Sequence, residues 1–256
     1  MSLNIKKRII ALIPARQGSE RIKHKNIKNF FSHPLIAYAI QSAIKSKLFE
    51  KVVVSTDSLK YAKIAKYYGA EVLSLRPKKI SSSKSPDYDW INYTINLYKK
   101  KKINFTHFFI LRPTNPFRNT STIINAWKKY IRYKNCDSLR AVSIVKEHPG
   151  KMWKEKNNYI FPLMKKKISN QPTYNSQYKS LPKIFVQNAS LEISKISNLT
   201  KYKTITGKKI IPYFNNKFDS FDINYPLDLE FAEYLVRKKK IKLIKINKKS
   251  FYLKNK

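Results

Sequence analysis

Sulfur ligands are almost absent from this 256-residue chain, which has one cysteine, Cys136. That excludes an internal disulfide and any cysteine-held metal cluster, and the simplest reading is an ordinary thiol in a reducing, cytoplasmic compartment. Long apolar runs are lacking as well. No stretch approaches the roughly 20 apolar residues of a membrane span, and Ile9 to Pro14, behind Lys6, Lys7 and Arg8, is too short and too soon interrupted by Arg16 for a secretory leader. A soluble protein with no membrane partner is expected. Glycine is scarce, four in all, and no glycine-rich dinucleotide fingerprint or Gly-Lys-Ser/Thr phosphate loop follows the first apolar run. His24, His33 and His148 show no metal-ligand spacing, and His107, inside an apolar run, reads as a core residue. No Ser-His-Asp or Cys-His nucleophile set can be assembled.

Acidic residues are few: 15, against 54 basic ones, for a formal net charge of +39. Such a charge raises the question of nucleic acid. Arginine occurs only at 8, 16, 21, 76, 112, 118, 132, 140 and 237, however, and the remaining basic residues are lysines spread along the whole chain. A nucleic-acid reader concentrates its charge and uses arginine for bidentate contacts. No specific nucleic-acid partner is expected, only non-specific polyanion binding at low salt.

What is present alternates between strand and helix patterns. Ile9 to Ile13 reads as a first strand. Leu35, Ile36, Ala39, Ile40, Ala43 and Ile44 behind Pro34 have the spacing of an amphipathic helix begun at its proline. Val52 to Ser55 is a short strand, and Asp57 or Ser58 can cap a helix to Tyr68 with Gly69 just past it. Ala70 to Leu75 reads as a third strand, Pro86 to Leu97 as a helix behind the polar Ser81–Ser85, Phe105 to Leu111 as a buried strand, Thr120 to Tyr133 as a helix, and Leu139 to Val145 as a strand. This succession predicts an α/β fold with a doubly wound, mostly parallel sheet, in one domain over 1–256 with a smaller appendage. Residues 147–183 lose the period, with a hairpin expected from Trp153 to Met164 over Asn157-Asn158. Alternation returns over Ile184 to Ile193, Pro226 begins another helix, Ile241 to Ile246 reads as a last strand, and 247–256 as a flexible basic tail.

The richest segment is the turn after the first strand, where Gly18 and Ser19 are surrounded by Arg16, Arg21, Lys23 and Lys25. Strand ends in parallel sheets line the crevice where ligands bind, and backbone amides with cations in such a turn suit a polyphosphate. A solvated basic loop is the plainer alternative.

In order along the chain stand Pro14-Ala15-Arg16, Gly18-Ser19 and Lys25-Asn26, then Val-Val-Val-Ser-Thr-Asp-Ser at 52–58, Tyr-Gly-Ala-Glu-Val at 68–72, Leu-Arg-Pro at 75–77, Leu-Arg-Pro-Thr-Asn-Pro-Phe-Arg at 111–118, Gln-Asn-Ala-Ser-Leu-Glu-Ile at 187–193 and Phe-Asp-Ile-Asn-Tyr-Pro-Leu-Asp-Leu-Glu at 221–230. Together these blocks resemble the acylneuraminate cytidylyltransferases, the nonulosonic-acid-activating enzymes with a nucleotide-diphospho-sugar transferase fold. The resemblance runs from about residue 8 to 237. It implies an enzyme that couples CTP to an acidic 2-keto sugar, such as a sialic or legionaminic acid, giving the CMP-sugar and pyrophosphate. It further implies nucleotide contacts from Ala15, Arg16, Gly18, Ser19, Lys25, Asn26 and Arg76, with Arg16, Lys25 and Asp222 catalytic. Sugar contacts are implied for Arg112, Gln187 and Asn188, Mg²⁺ on Asp222 and Asn224, and a homodimer built in part by 147–183.

Several positions depart from the family's pattern. Glu20 stands where lysine is common, with Arg21 next to it as a substitute cation. Asn224 replaces the second carboxylate of an Asp-x-Asp pair, with Asp219 upstream as an alternative source of charge. Arg112 stands where glutamine is frequent, and Asn188-Ala189 where Asn-Gly-Ala is expected. A nucleotidyltransferase for another sugar, or a catalytically impaired nucleotide-binding relative, remains as an alternative.

Overall fold

The computed structural model describes residues 8–215 and 218–254. Its centre is a six-stranded sheet formed by β1 (Ile9–Pro14), β2 (Lys51–Ser55), β3 (His107–Ile110), β4 (Ser138–Ile144), β7 (Phe185–Lys195) and β8 (Ile210–Phe214), in the spatial order β8-β4-β7-β3-β1-β2. Residues Ile10 to Ile13 of β1 are fully buried. A continuous apolar run of this kind, rather than an alternating one, marks a strand covered on both faces. β1 runs parallel to both neighbours, Ile9 opposite His107 and Pro14 opposite Ser55, whereas β7 pairs antiparallel with β3. The expected α/β sheet, parallel at its centre, is thus observed, with β7 as an antiparallel member.

Helices α1 (Leu35–Lys45), α2 (Leu59–Tyr67), α3 (Asp87–Lys100), α4 (Thr120–Arg132) and α5 (Pro226–Arg237) flank the sheet. Pro34 precedes α1 in extended geometry, and Pro226 opens α5, where its missing N–H costs nothing. Asn119 caps α4 by accepting from the Thr122 amide. Ser58 occupies the cap position of α2 without a side-chain bond, and Gly69 follows the helix at φ +95°, a backbone angle that costs glycine little. Two large apolar clusters form, one including Ala11, Ile13, Ile36, Ile40 and Ile64, the other Ile10, Leu12, Trp90, Ile91 and Phe108. Alternate residues of β1 thus feed different clusters, as a period of two requires.

Two expected strands are absent. Residues 70–75 make a single bridge, Glu71 to Val53. The chain then turns, because the Arg76 amide is used by the Thr56 carbonyl and Pro77 has no N–H to extend a ladder. Residues 241–246 are irregular, and Ile241, Leu243, Ile244 and Ile246 pack instead on a third cluster containing Leu229, Ala232 and Leu235 of α5. Their alternation reflects one-sided packing against a helix. Beyond them, Phe251–Lys254 forms a short helix, α6, whose Phe251 amide donates to the Tyr68 hydroxyl and whose Tyr252 hydroxyl donates to the Ile27 carbonyl.

Val142–Gln187 forms a separate compact unit. Within it, β5 (Trp153–Lys156) and β6 (Tyr159–Pro162) make the expected hairpin, with Asn157 and Asn158 both at positive φ, the backbone that a two-residue primed turn requires. His148 is buried there, accepting from the Gly150 amide and meeting the Pro182 carbonyl.

Candidate active site

A cleft of about 480 Å³ opens at the carboxyl ends of β1 and β3. Its walls come from the turn after β1, the Ser82–Ser85 segment, α3, the Arg112–Thr114 segment after β3, and Asn224 before α5. Five cations line it, Arg16, Arg21, Lys25, Arg76 and Arg112, against two carboxylates, Glu20 and Asp87. Such a wall favours a polyanion.

The β1 turn is shaped by its own bonds. The Ala15 amide, fully buried, continues the ladder to the Ser55 carbonyl at 2.9 Å, and the Gln17 amide donates to Asp57 Oδ1 at 2.8 Å. Asp57 therefore ties down this loop rather than capping α2. Ser19 N donates to the Gln17 carbonyl, and Asn26 Nδ2, buried, to the Arg16 carbonyl at 3.1 Å. The Arg16 guanidinium folds back on the Gly18 carbonyl, and a Cβ at residue 18 would stand 3.2 Å from Arg16 Nη1. A side chain at 18 would thus press on the Arg16 guanidinium in this folded-back position. Arg21, beside Glu20, lies over the Tyr225 ring with 4.7 Å between guanidinium carbon and ring centre, so a second cation does face the cleft next to the missing lysine.

Lys25 reaches across to the far end of the chain. Its Nζ donates to the Ile223 carbonyl at 2.9 Å and to Asn224 Oδ1 at 3.4 Å. Asn224 Nδ2 in turn donates to Asp222 Oδ2 at 2.7 Å, and Asp222 Oδ1 is buried with no hydrogen-bond partner. Burial lowers the Lys25 pKa from its ordinary value, against the pull of Asp222. Asp228, at the third position of α5, fixes the segment by accepting from the Asn224 and Tyr225 amides at 2.8 and 2.7 Å. Residues almost 200 apart in sequence thereby meet.

Opposite lies an ion network that the sequence did not announce. Arg112 Nη2 donates to Asp87 Oδ2 at 2.5 Å and to Glu192 Oε1 at 3.0 Å, and Glu192 also pairs with Arg140. Buried Arg118 holds the Arg112 carbonyl with both terminal nitrogens, and burial takes its pKa down to about 9. Burial alone would raise the Asp87 carboxyl, but Arg112's charge and the hydrogen bonds from Arg112 and Trp90 leave it below its ordinary value. Arg76 is buried, bonds Ser55 Oγ and the Ser55 carbonyl, and lies 5.0 Å from the centre of the Trp90 ring. Burial lowers its pKa to about 10.

Asp219 does not reach the cleft. It is buried, its carboxylate accepts from Thr122 Oγ1, and burial raises its pKa, so it does not replace the charge missing at 224. Asn188 Oδ1 accepts from the Ser190 amide at 3.0 Å, and Gln187 belongs to the separate Val142–Gln187 unit. Asn188 does not border the cleft. Among the described residues no three His, Cys, Asp or Glu side chains cluster as metal ligands. Asp87, Trp90 and the serines at 82, 83 and 85 were missed as site residues, although the polar run before Pro86 was visible.

A family model described as Cytidylyltransferase matches residues 10–254. The chain belongs to the cytidylyltransferase family. It is 32% identical over 237 residues to the N-acylneuraminate cytidylyltransferase of Escherichia coli O18:K1:H7, covering 91% of this chain and 53% of that protein. It thus spans about half the length of that relative. It is 31% identical over 235 residues to the CMP-N,N'-diacetyllegionaminic acid synthase of Legionella pneumophila, covering 90% and 96%. Among solved structures, a CMP:2-keto-3-deoxy-manno-octonic acid synthetase complexed with CTP superposes with a TM-score of 0.66 at 12% identity, covering 91% of this chain and all of that one. That likeness carries the fold.

Proposed function

We propose that this cytidylyltransferase couples CTP to a nonulosonic acid of the sialic, legionaminic or pseudaminic type, forming the CMP-sugar and releasing pyrophosphate. The observation that supports it most is the meeting of Lys25 and Asn224 on the wall of a cleft that also holds Arg16, with Asp222 directly behind Asn224. The named relatives supply the substrate class.

In this reading the sugar's anomeric hydroxyl oxygen attacks the α-phosphorus of CTP, the bond from that phosphorus to the αβ-bridging oxygen breaks, pyrophosphate departs, and the hydroxyl proton passes to water. The protein's part is alignment and cationic stabilisation. Arg16 and Lys25 hold the β- and γ-phosphates and the departing pyrophosphate, Gly18 and Ser19 approach the same oxygens, and Asn26 and Ala15 keep the loop in shape. Arg76 faces the base. Arg112, already oriented by Asp87 and Glu192, offers its remaining donors to the sugar carboxylate. Asp222 fits a magnesium ion through its buried, unpartnered oxygen, since Mg²⁺ is commonly held by one or two carboxylates together with substrate phosphates. When bound, the ion neutralises phosphate charge.

A homodimer belongs to the same reading, supported by the exposed Tyr159, Ile160 and Phe161 of the hairpin. A nucleotide substrate and a lone cysteine support a cytoplasmic location. No helix among the described residues is long and apolar enough to cross a membrane.

The test is pyrophosphate release from CTP and Mg²⁺ across a panel of nonulosonic acids, with UTP, ATP and GTP in parallel. Release with CTP and at least one acid is expected. Silence across the panel from folded protein, or preference for another nucleotide, overturns the proposal.

A further inference from the structure

Both ends of the Asn224 side chain are already engaged. Its amide nitrogen faces the Asp222 carboxylate at 2.7 Å and its oxygen faces the Lys25 ammonium at 3.4 Å. Turning the amide over would set oxygen against carboxylate and NH₂ against ammonium, two repulsions in place of two attractions. Asp228 holds the Asn224 backbone amide at 2.8 Å, so the main chain that carries this side chain is fixed beside Asp222. Of the oxygens on these two side chains, Asp222 Oδ1 is the one without a partner, and it is buried. A buried carboxylate oxygen in that condition costs stability until something positive meets it.

We infer that this chain takes one divalent cation, not two, and takes it only together with the nucleotide, with Asn224 acting as a brace between Asp222 and Lys25 rather than as a ligand. A lone carboxylate oxygen beside an ammonium is a poor seat for a free dication, and phosphate oxygens complete the shell. The positive charge that a second ion would bring is supplied instead by Lys25. This inference rests on the CTP reading above.

Mn²⁺ serves as the probe, with protein-bound metal counted by electron paramagnetic resonance and CTP binding measured separately by calorimetry without metal. Wild-type protein without CTP is expected to bind no Mn²⁺ at concentrations where the CTP-loaded protein is saturated, and the loaded protein to hold one Mn²⁺ per bound CTP. Asn224→Asp, which exchanges the brace for a second carboxylate, should bind Mn²⁺ without CTP at least tenfold more tightly than wild type. Asn224→Ala, informative even if Asn224→Asp fails to fold, should keep one Mn²⁺ per CTP with affinity within about threefold of wild type. Two Mn²⁺ per CTP in wild type, tight metal binding without CTP, or a tenfold or greater loss in Asn224→Ala overturns the inference. Failure to bind CTP at all overturns the functional reading, and the inference with it.

Discussion

Arg16 and Arg112 illustrate two ways in which one guanidinium is placed. Arg16 folds onto its own loop at the Gly18 carbonyl, a contact easily exchanged for phosphate oxygens. Arg16→Ala is therefore expected to lower kcat/KM for CTP by roughly 10²- to 10³-fold with little change in melting temperature, as steady-state kinetics and a thermal melt would show. Arg112 is fixed by Asp87 and Glu192 and proposed to meet the sugar, so Arg112→Ala should raise KM for the acid by about 10- to 100-fold while leaving KM for CTP nearly unchanged. Equal effects on both constants would contradict that role. The position of Arg16 and Lys25 on the cleft was legible in the sequence because they follow the first strand at short range. Asp87 and Glu192 were not, since their meeting at Arg112 spans 25 and 80 residues and no local pattern encodes it. Asp219 misled for a related reason: its spacing put it near the site, but tertiary packing turns its carboxylate toward Thr122.

Among elements, β1, α1 and the hairpin were readable because period, proline and the Asn-Asn turn agree with the final packing. The segments at 70–75 and 241–246 carried strand patterns without strand partners, which is tertiary context overriding propensity. The Lys25–Ile27 turn is secured from an unexpected quarter, the C-terminal helix α6 through Tyr252. Deleting residues 250–256 should lower the melting temperature by a few degrees and raise KM for CTP several-fold, because the turn that carries Lys25 loses its support. An unchanged KM would show that the tail is dispensable to the site. A pH effect belongs to the turn before α1. Burial lowers the pKa of His33 from 6.5, so the unfolded chain binds this proton more readily than the folded one. Its contribution to stability is full above the unfolded value and is lost as pH falls from 6.5 toward the lower folded value. Melting temperature should thus drop on acidification between about pH 7 and pH 5, and His33→Gln should flatten part of that slope.

For the molecule as a whole, the net charge of +39 says little about function, whereas five cations gathered on one cleft say a good deal. Placement, not total, decides the ligand. The hairpin's exposed apolar residues belong to this scale too: Ile160→Lys is expected to shift a dimer toward monomer in sedimentation analysis without reducing helix content, and a wild-type protein that sediments as a monomer would remove the dimer from the account. The central claim is that the turn after β1 grips a triphosphate whose magnesium rests on Asp222. A crystal structure with CTP and Mg²⁺ tests it most directly. The account predicts β- and γ-phosphates against Arg16 and Lys25, the base toward Arg76, and the ion on Asp222 Oδ1. Phosphates seated against Arg112, or a nucleotide bound outside this cleft, would contradict it.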